Sequence, residues 1–493
     1  MVWRFLSGIM LIVAVPIGMA QAFEAVMLEE EIPSIFGKFG EPLDADGDWA
    51  LIGTGDESVI FFTFADGEWV QQQTIENEID ADFGDAVALS GEYALVGAHN
   101  YDLSGFQNAG AVFVYHYDGS AWVEQQILTA DDPQLNAQFG KTLAIDGDYL
   151  VIGDPAHNMG DADYCGAAYV FHNDGGTWSQ DAQLIASDYS DHATFGCSVT
   201  MSGQTIIAGA READPAATSS GAAYVYTYDG SEWVEQLLSA SDGAGQDYFG
   251  TTVALDGDQA FIGAHGCDEA GDNAGAVYVF ENNAGTWEEV DKLNGPGREH
   301  GNGFSKSMAL EGDWAMVRDE NGADMDGSVF MYQYDGSSWN QLYEVSAWTG
   351  GMNHRFGAAL AQTGETAFIS DADESISATF AGCVWACTDL ANPAGMEEVS
   401  TEPVPSEFAL LPAYPNPFNS KAVVSVRMPH RAELVVSVYN TLGQRVSILS
   451  RTEKARGMHR MTFDATDLSG GIYFVRAEVP GQWHAVRKMV LLK

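Results

Sequence analysis

Basic residues are scarce: 21 Lys and Arg stand against 71 Asp and Glu in 493 residues, a formal net charge of −50. Such a chain repels phosphate backbones and anionic lipid surfaces, which excludes nucleic acid as a partner and attraction to such membranes. Cysteine is thin as well. The five, Cys165, Cys197, Cys267, Cys383 and Cys387, include no CxxC pair, so neither a zinc knuckle nor a thioredoxin-type redox motif is supported. An odd count leaves at least one thiol unpaired within a single chain, and the pairing among the five stays open. A mature transmembrane span is excluded too, because no later segment has the roughly 20 continuous apolar residues it requires. The one apolar run, Phe5 to Ile17, follows Arg4 and precedes Ala20-Gln21-Ala22. That is the pattern of a cleavable export leader. Residues 1–22 are therefore read as a signal peptide, with the mature chain starting near Phe23 outside the cytoplasm. No cysteine follows the cleavage point, so a lipid-anchored start is unsupported. Catalytic signatures are also missing: there is no Gly-x-Ser-x-Gly elbow, no His-Glu-x-x-His helix and no phosphate-binding glycine loop.

What is abundant is glycine, with 54 residues, and acid confined to one part of the chain. From Phe408 onward 12 Lys/Arg meet 5 Asp/Glu, whereas Met1 to Glu407 carries 9 basic and 66 acidic residues. The acidic body reads as a solvated coat, with cation binding as the other reading. A Phe-Gly pair recurs at Phe39, Phe83, Phe139, Phe195, Phe249, Phe304 (followed by Ser305) and Phe356, at steps of 44, 56, 56, 54, 55 and 52 residues. Trp69, Trp122, Trp178, Trp233, Trp287 and Trp339 keep the same period. A period of this length marks a repeat architecture.

Each repeat reads as four strands. Ala86-Val87-Ala88-Leu89, a turn at Gly91, Tyr93 to Val96, a longer loop, Val112 to Tyr115, a turn at Asp118-Gly119 and a strand opening at Trp122 are one example. Third strands such as Ala222 to Tyr226 are apolar at successive positions, so both faces are expected to be buried, as in stacked blades. The seventh repeat stops after its third strand, Cys383 to Thr388. Phe23 lies 16 residues before Phe39, as Trp233 lies 16 before Phe249, so Phe23 to Leu28 is expected to complete it and close the ring. The fold class is all-β: a seven-bladed propeller of four-stranded blades over 23–388, a proline-containing linker over 389–407, and a small antiparallel Ig-like sandwich over 408–493.

The Phe-Gly pairs, Gly-Ala strand ends and blade period resemble FG-GAP repeats, as found in integrin α-chain propellers and in bacterial surface proteins. The resemblance implies extracellular binding or adhesion. Such blades often carry an Asp-x-Asp-x-Asp-Gly calcium loop, of which no complete copy occurs here. Asp44-x-Asp46-Gly47 falls in a hairpin turn, where turn chemistry accounts for it. Asp324-x-Asp326-Gly327 sits in the appropriate loop of repeat six without the third acid, so Asp324 and Asp326 are the candidate Ca2+ ligands and Ca2+ the one candidate cofactor.

The tail carries Tyr414-Pro415-Asn416-Pro417-Phe418-Asn419, then Leu442-Gly443-Gln444, Gly470-Gly471-Ile472-Tyr473 and a last strand from Lys488 to Lys493. These landmarks resemble the C-terminal sorting domain of the type IX secretion system. They imply that the secretion machinery is a partner and that the cargo is secreted or attached to the outer-membrane surface after Sec export.

In a four-stranded blade, the loops joining strands two and three share a rim with those leading into the next blade. Here that rim collects His99, Asp154, Arg211, His265, Asp268 and Arg318, the candidate ligand-binding residues. His99 and His265 each follow Gly-Ala, so a repeated strand-capping role is the competing reading. Repeats six and seven depart from the pattern, with Val317-Arg318 and Ser370-Asp371 in place of Gly-Ala. Two functions follow: a non-catalytic adhesion or recognition module for an extracellular protein or glycan, or a secreted polysaccharide-active hydrolase or lyase using rim acids and His. The first predicts functional residues spread round the ring, the second one deep pocket that breaks the repeat.

Overall fold

The computed structural model describes residues 9–16, 21–28 and 39–492, apart from 66–67, 78–80, 297–302, 321–326, 347–354, 373–382, 388–407, 411–417, 419–420, 429–431, 442, 455–456, 466–467 and 481. It divides into two compact units, Met1–Met396 and Glu397–Lys493. Every helix or strand assigned among the described residues is a β-strand. Asp324, Asp326, Tyr414, Pro415, Asn416, Pro417 and Lys493 lie outside the described residues.

In the first unit, repeats one to five each form a four-stranded antiparallel sheet in chain order, from Leu43–Glu76 to Phe249–Asn294. Third strands such as Ala111 to Tyr115 are buried at every position, because each is covered on both faces by neighbouring repeats. Repeats six and seven share a nine-stranded sheet. Gln21–Leu28 pairs with Cys383–Cys387, Leu28 opposite Val384, and so supplies the fourth strand of repeat seven. Ile9–Pro16, inside the expected leader, pairs with Gln21–Leu28 on one side and with Trp339–Ser346 of repeat six on the other. The first strands of successive repeats touch one another, and Phe356–Thr363 of repeat seven touches Leu43–Asp46 of repeat one, so the cycle closes.

Two repeated devices join one blade to the next. The periodic tryptophans are the first. Trp122 stacks on Phe61 of the preceding repeat at 4.6 Å, Trp339 meets Phe261 edge-on at 5.0 Å, and Trp69 of repeat one meets Phe368 of repeat seven at 5.0 Å. Large aromatic faces buried between blades are a main source of inter-blade stability. Gln73, Gln126 and Gln236 add directional bonds: the Gln126 amide, for example, accepts from Trp178 N at 3.0 Å and donates to its carbonyl at 2.8 Å. The second device is the first hairpin turn. At six junctions the side chain before a turn glycine accepts from the turn glycine of the next repeat: Asp46 from Gly91 N (2.6 Å), Asp146 from Gly203 N (2.6 Å), Ser202 from Gly257 N (3.2 Å), Asp256 from Gly312 N (2.6 Å), Glu311 from Gly364 N (2.9 Å), and Thr363 from Gly47 N (2.8 Å). The acids beside these glycines thus clasp neighbouring blades as well as shaping their own turns.

The Phe-Gly glycines take positive φ, from 75° at Gly357 to 99° at Gly40, and Ser305 adopts the same left-handed backbone at 78°. The serine variant of repeat six therefore keeps the turn at some conformational cost. None of the five cysteines is joined in a disulfide, and Cys165, Cys267, Cys383 and Cys387 are buried. Alkylation after denaturation without reductant is expected to modify five cysteines, and reductant to leave the thermal midpoint unchanged. A lower count by mass would reveal a disulfide.

The second unit packs a sheet of Ala409–Leu410, Lys421–Met428 and Gly457–Asp464 against one of Arg445–Lys454, Ala432–Asn440, Gly471–Val479 and Trp483–Leu491. Phe418, Val424, Val436, Phe463, Val475 and Met489 share its core. The sorting landmarks have local roles here. Gly443 (φ 75°) donates to the Asn440 carbonyl at 3.0 Å in a tight turn. The Tyr473 hydroxyl donates to the Ser469 carbonyl at 2.8 Å, and Lys488 lies opposite Phe474 on the last strand pair.

Candidate functional site at the Phe-Gly rim

The loop after each second strand is built on a shared frame. The residue three positions beyond the strand end donates back to it: Tyr101 N to Ala98 O, His157 N to Asp154 O, Ala213 N to Ala210 O and Cys267 N to Ala264 O, all at 3.0–3.3 Å. The next side chain closes the loop, with Asp102 accepting from Asn108 N (2.8 Å), Asn158 from Tyr164 N (2.8 Å), Asp214 from Ser219 N (2.6 Å) and Asp268 from Asn273 N (2.7 Å). Asp268, a candidate ligand-binding residue, therefore has a structural task repeated in four blades. Such Asx capping is a local preference of Asp and Asn.

The position after Phe-Gly faces the one after Gly-Ala. In repeat five Thr251 Oγ1 and His265 Nδ1 are 2.9 Å apart, and the His265 ring stacks on Tyr248 at 5.0 Å. Burial, reinforced by Lys306 and Arg211, pushes the His265 pKa down to about 4. In repeat six the same two positions are Lys306 and Glu320, which form an ion pair. In repeat two they are Asp85 and His99, with Asp85 Oδ2 3.6 Å from His99 Nδ1 and Asp82 Oδ2 3.3 Å from His99 Nε2. Lys141, after Phe139-Gly140, crosses to Asp85 of the preceding repeat at 3.1 Å, and Arg355 crosses to Glu41 of repeat one at 2.6 Å. Arg211 is half-exposed and lies 3.6 Å from Glu212.

The register corrects one expectation. Arg318 N donates to Ser307 O, the pairing that Gly153 makes with Thr142, so Arg318-Asp319 stand in place of Gly-Ala in repeat six, one residue beyond Val317-Arg318. Arg318 is buried and its Nε donates to Phe356 O of repeat seven at 3.1 Å. Burial holds its pKa below the usual guanidinium value.

Asp154 and His157 form a separate cluster in repeat three, each only 1 % exposed. His157 Nδ1 lies 3.6 Å from Asp154 Oδ2 and 3.2 Å from the Tyr169 hydroxyl, while Nε2 faces Gln134 at 3.1 Å and Asp132 at 3.6 Å. Tyr169 donates to Asp132 at 2.8 Å, a bond that Tyr224–Asp188 and Tyr278–Asp242 repeat. Asp154 replaces the alanine found at 98, 210 and 264. Burial pushes its pKa up to about 6, against the opposing pull of His157. A groove of about 510 Å³, lined by Thr227, Asp229, Glu235 and Trp287 among others, lies toward the opposite end, by the turns at Asp229 and Gly285.

The rim thus joins His99, Arg211, His265 and Arg318 to partners that sequence reasoning passed over: Glu41, Asp82, Asp85, Lys141, Lys306 and Arg355. The signal for four of them was available, since Glu41, Asp85, Lys141 and Lys306 all directly follow the repeated Phe-Gly or Phe-Ser pair.

The family model described as FG-GAP repeat matches residues 69–115, 122–171, 178–226 and 233–280. Each match opens at a periodic tryptophan, so its frame runs from the fourth strand of one blade through three strands of the next. The model described as Secretion system C-terminal sorting domain matches residues 412–492. No curated protein matches the chain. Among solved structures it is similar to one described as YCF48 bound to D1 peptide, at 13 % identity over 75 % of this chain and 96 % of that one, with a TM-score of 0.44. It is also similar to the computationally designed Ika8 protein, at 12 % identity over 74 % and 98 % of the two chains, with a TM-score of 0.41. By the two family models, the chain carries four FG-GAP repeats between residues 69 and 280 and a secretion system C-terminal sorting domain over residues 412–492.

Proposed function

We propose that this is a non-catalytic binding protein, exported through the Sec and type IX routes, whose seven-bladed ring offers the Phe-Gly rim to an extracellular protein or glycan. The observation that carries the reading is the distribution of charge. Of nine basic residues in Met1–Glu407, Lys141, Arg211, Lys306, Arg318 and Arg355 stand at rim positions in four different blades. Polar groups fixed round a rigid ring suit recognition of an extended partner more than bond cleavage at one point. Leader removal after Ala22 would release Ile9–Pro16 and leave repeats six and seven as separate blades.

Glycan and protein arrays probed with wild type, Arg211→Glu and Lys306→Glu test this reading. Both variants are expected to bind at least about tenfold more weakly, one desolvated charge contact being worth ~1.4 kcal/mol or more. Glu92→Lys, on a turn at the other end of the blades, is expected to bind as wild type. Equal binding by all four proteins would refute the rim as the binding face. A hydrolase or lyase is favoured by one observation, the Asp154–His157–Tyr169 cluster that breaks the repeat. On that reading wild type would degrade acidic polysaccharide and Asp154→Asn would not.

A further inference from the structure

Repeat two departs from the rim pattern in a way its fold does not require. His265 shows how a histidine after Gly-Ala is accommodated: one hydroxyl partner and a stacked tyrosine, with no carboxylate of the described residues at ion-pair distance, Glu320 acting on it only from farther off. His99, at the equivalent position, has neither. It is 6 % exposed, sits between two carboxylates, and its buried Nδ1 has no hydrogen-bond partner. The two acids come from either side of Phe83-Gly84. No other repeat pairs acids there: the residues before and after the pair are Lys38 and Glu41, Gln138 and Lys141, Thr194 and Cys197, Tyr248 and Thr251, Gly303 and Lys306, and Arg355 and Ala358.

We propose that Asp82, Asp85 and His99 form a binding site for a divalent transition-metal ion such as Zn2+. One ligand atom from each of the three side chains lies within 4.8 Å of the other two. The nitrogen-to-oxygen separations of 3.3 and 3.6 Å are long for charge-assisted hydrogen bonds. The Nε2–Asp82 separation of 3.3 Å is close to the spacing of about 3.4 Å between two ligands held ~2.0–2.2 Å from a tetrahedral ion, whereas the 3.6 Å separation of Asp85 is from the other ring nitrogen, so Asp85 would have to shift toward the coordinating one. Only one ring nitrogen can coordinate, and which one does is set by a small rotation of the ring. An imidazole with two carboxylates selects zinc or its neighbours over calcium, which takes oxygen ligands. Asn100, whose amide donates to Asp82, would orient that carboxylate from outside. Lys141 is the competitor. Its ammonium lies 3.1 Å from Asp85 Oδ2 on a partly exposed stem free to swing away.

The test is equilibrium dialysis of the full-length protein against Zn2+, with millimolar Ca2+ present to occupy all-oxygen surface sites. Co2+ substitution adds the visible absorption of a coordinated ion. Wild type is expected to retain at least one Zn2+ under these conditions, His99→Gln and Asp85→Asn to retain one fewer, and Lys141→Ala to bind more tightly. Asp85 is half-exposed, so Asp85→Asn keeps the test free of a folding defect at buried His99. Equal retention by wild type and both site variants would overturn the proposal, as would wild type binding no zinc.

Discussion

Gly209→Ala is expected to destabilise the propeller by about 3 kcal/mol or more, as overpacking against rigid backbone does at its upper end. Gly209 is the penultimate residue of the second strand of repeat four, Thr205–Ala210, where the Phe-Gly turn of repeat five presses against it. A Cβ there would lie 1.9 Å from Gly250 O and 2.4 Å from Ser198 Oγ. Gly250 O cannot retreat cheaply, because it also accepts from Ser198 Oγ at 2.9 Å. The same contact recurs at Gly97 against Gly140 O (2.2 Å) and Gly153 against Gly196 O (2.3 Å). This is why glycine precedes alanine or aspartate in those strands. Gly203→Ala is the control. Gly203 has φ 55° in an open turn with nothing within 4 Å of an added Cβ, so only backbone strain of about 1 kcal/mol applies. Thermal unfolding of both variants checks the contrast, and similar midpoints would show that blade contact does not set the requirement.

Asp44→Asn is expected to stabilise the protein at pH 8 and to have much less effect at pH 5. The other six repeats carry alanine or threonine where Asp44 stands: Ala88, Ala144, Thr200, Ala254, Ala309 and Ala361. Its carboxylate accepts from Ala45 N at 2.9 Å and from Leu89 N of the next repeat at 2.8 Å. Burial, with the nearby charges of Asp46 and Glu311 adding to it, nonetheless pushes its pKa up to about 7. A raised carboxyl pKa means that the folded state binds the proton more tightly than the unfolded one. Stability from this group is therefore complete below about pH 4 and is lost as pH rises to about 7. The loss is on the order of 2–4 kcal/mol for a shift of this size. Asparagine keeps an acceptor for Leu89 N and cannot ionise, so it removes this slope. Urea unfolding of both proteins at pH 5 and pH 8 measures it. An advantage of the same size at both pH values would mean that the effect is steric and not electrostatic.

Much of the fold was readable from short-range chemistry. Phe-Gly pairs, turn glycines and unbroken apolar third strands report backbone and burial needs that hold within one blade. The completion of repeat seven by Gln21–Leu28 was readable because the strand missing from one end of the chain appears at the other. The rim was less readable. His99 and His265 occupy the same register position, yet one faces two carboxylates and the other a hydroxyl and a tyrosine ring. The one-residue error at Arg318 arose because an Arg-Asp pair hides the Gly-Ala signal, and only the pairing with Ser307 restores it.

The sequence by itself determined the repeat, the strands, the sorting tail and the acidic imbalance, because each depends on residues close together in the chain. Only the tertiary structure decided which polar groups are committed and which face one another. Asp268 is spent on its own loop. Lys141 reaches Asp85 across 56 residues, and Arg355 reaches Glu41 across 314. Such partners meet only when neighbouring blades dock and the ring closes, and no local pattern records a distance that closure creates.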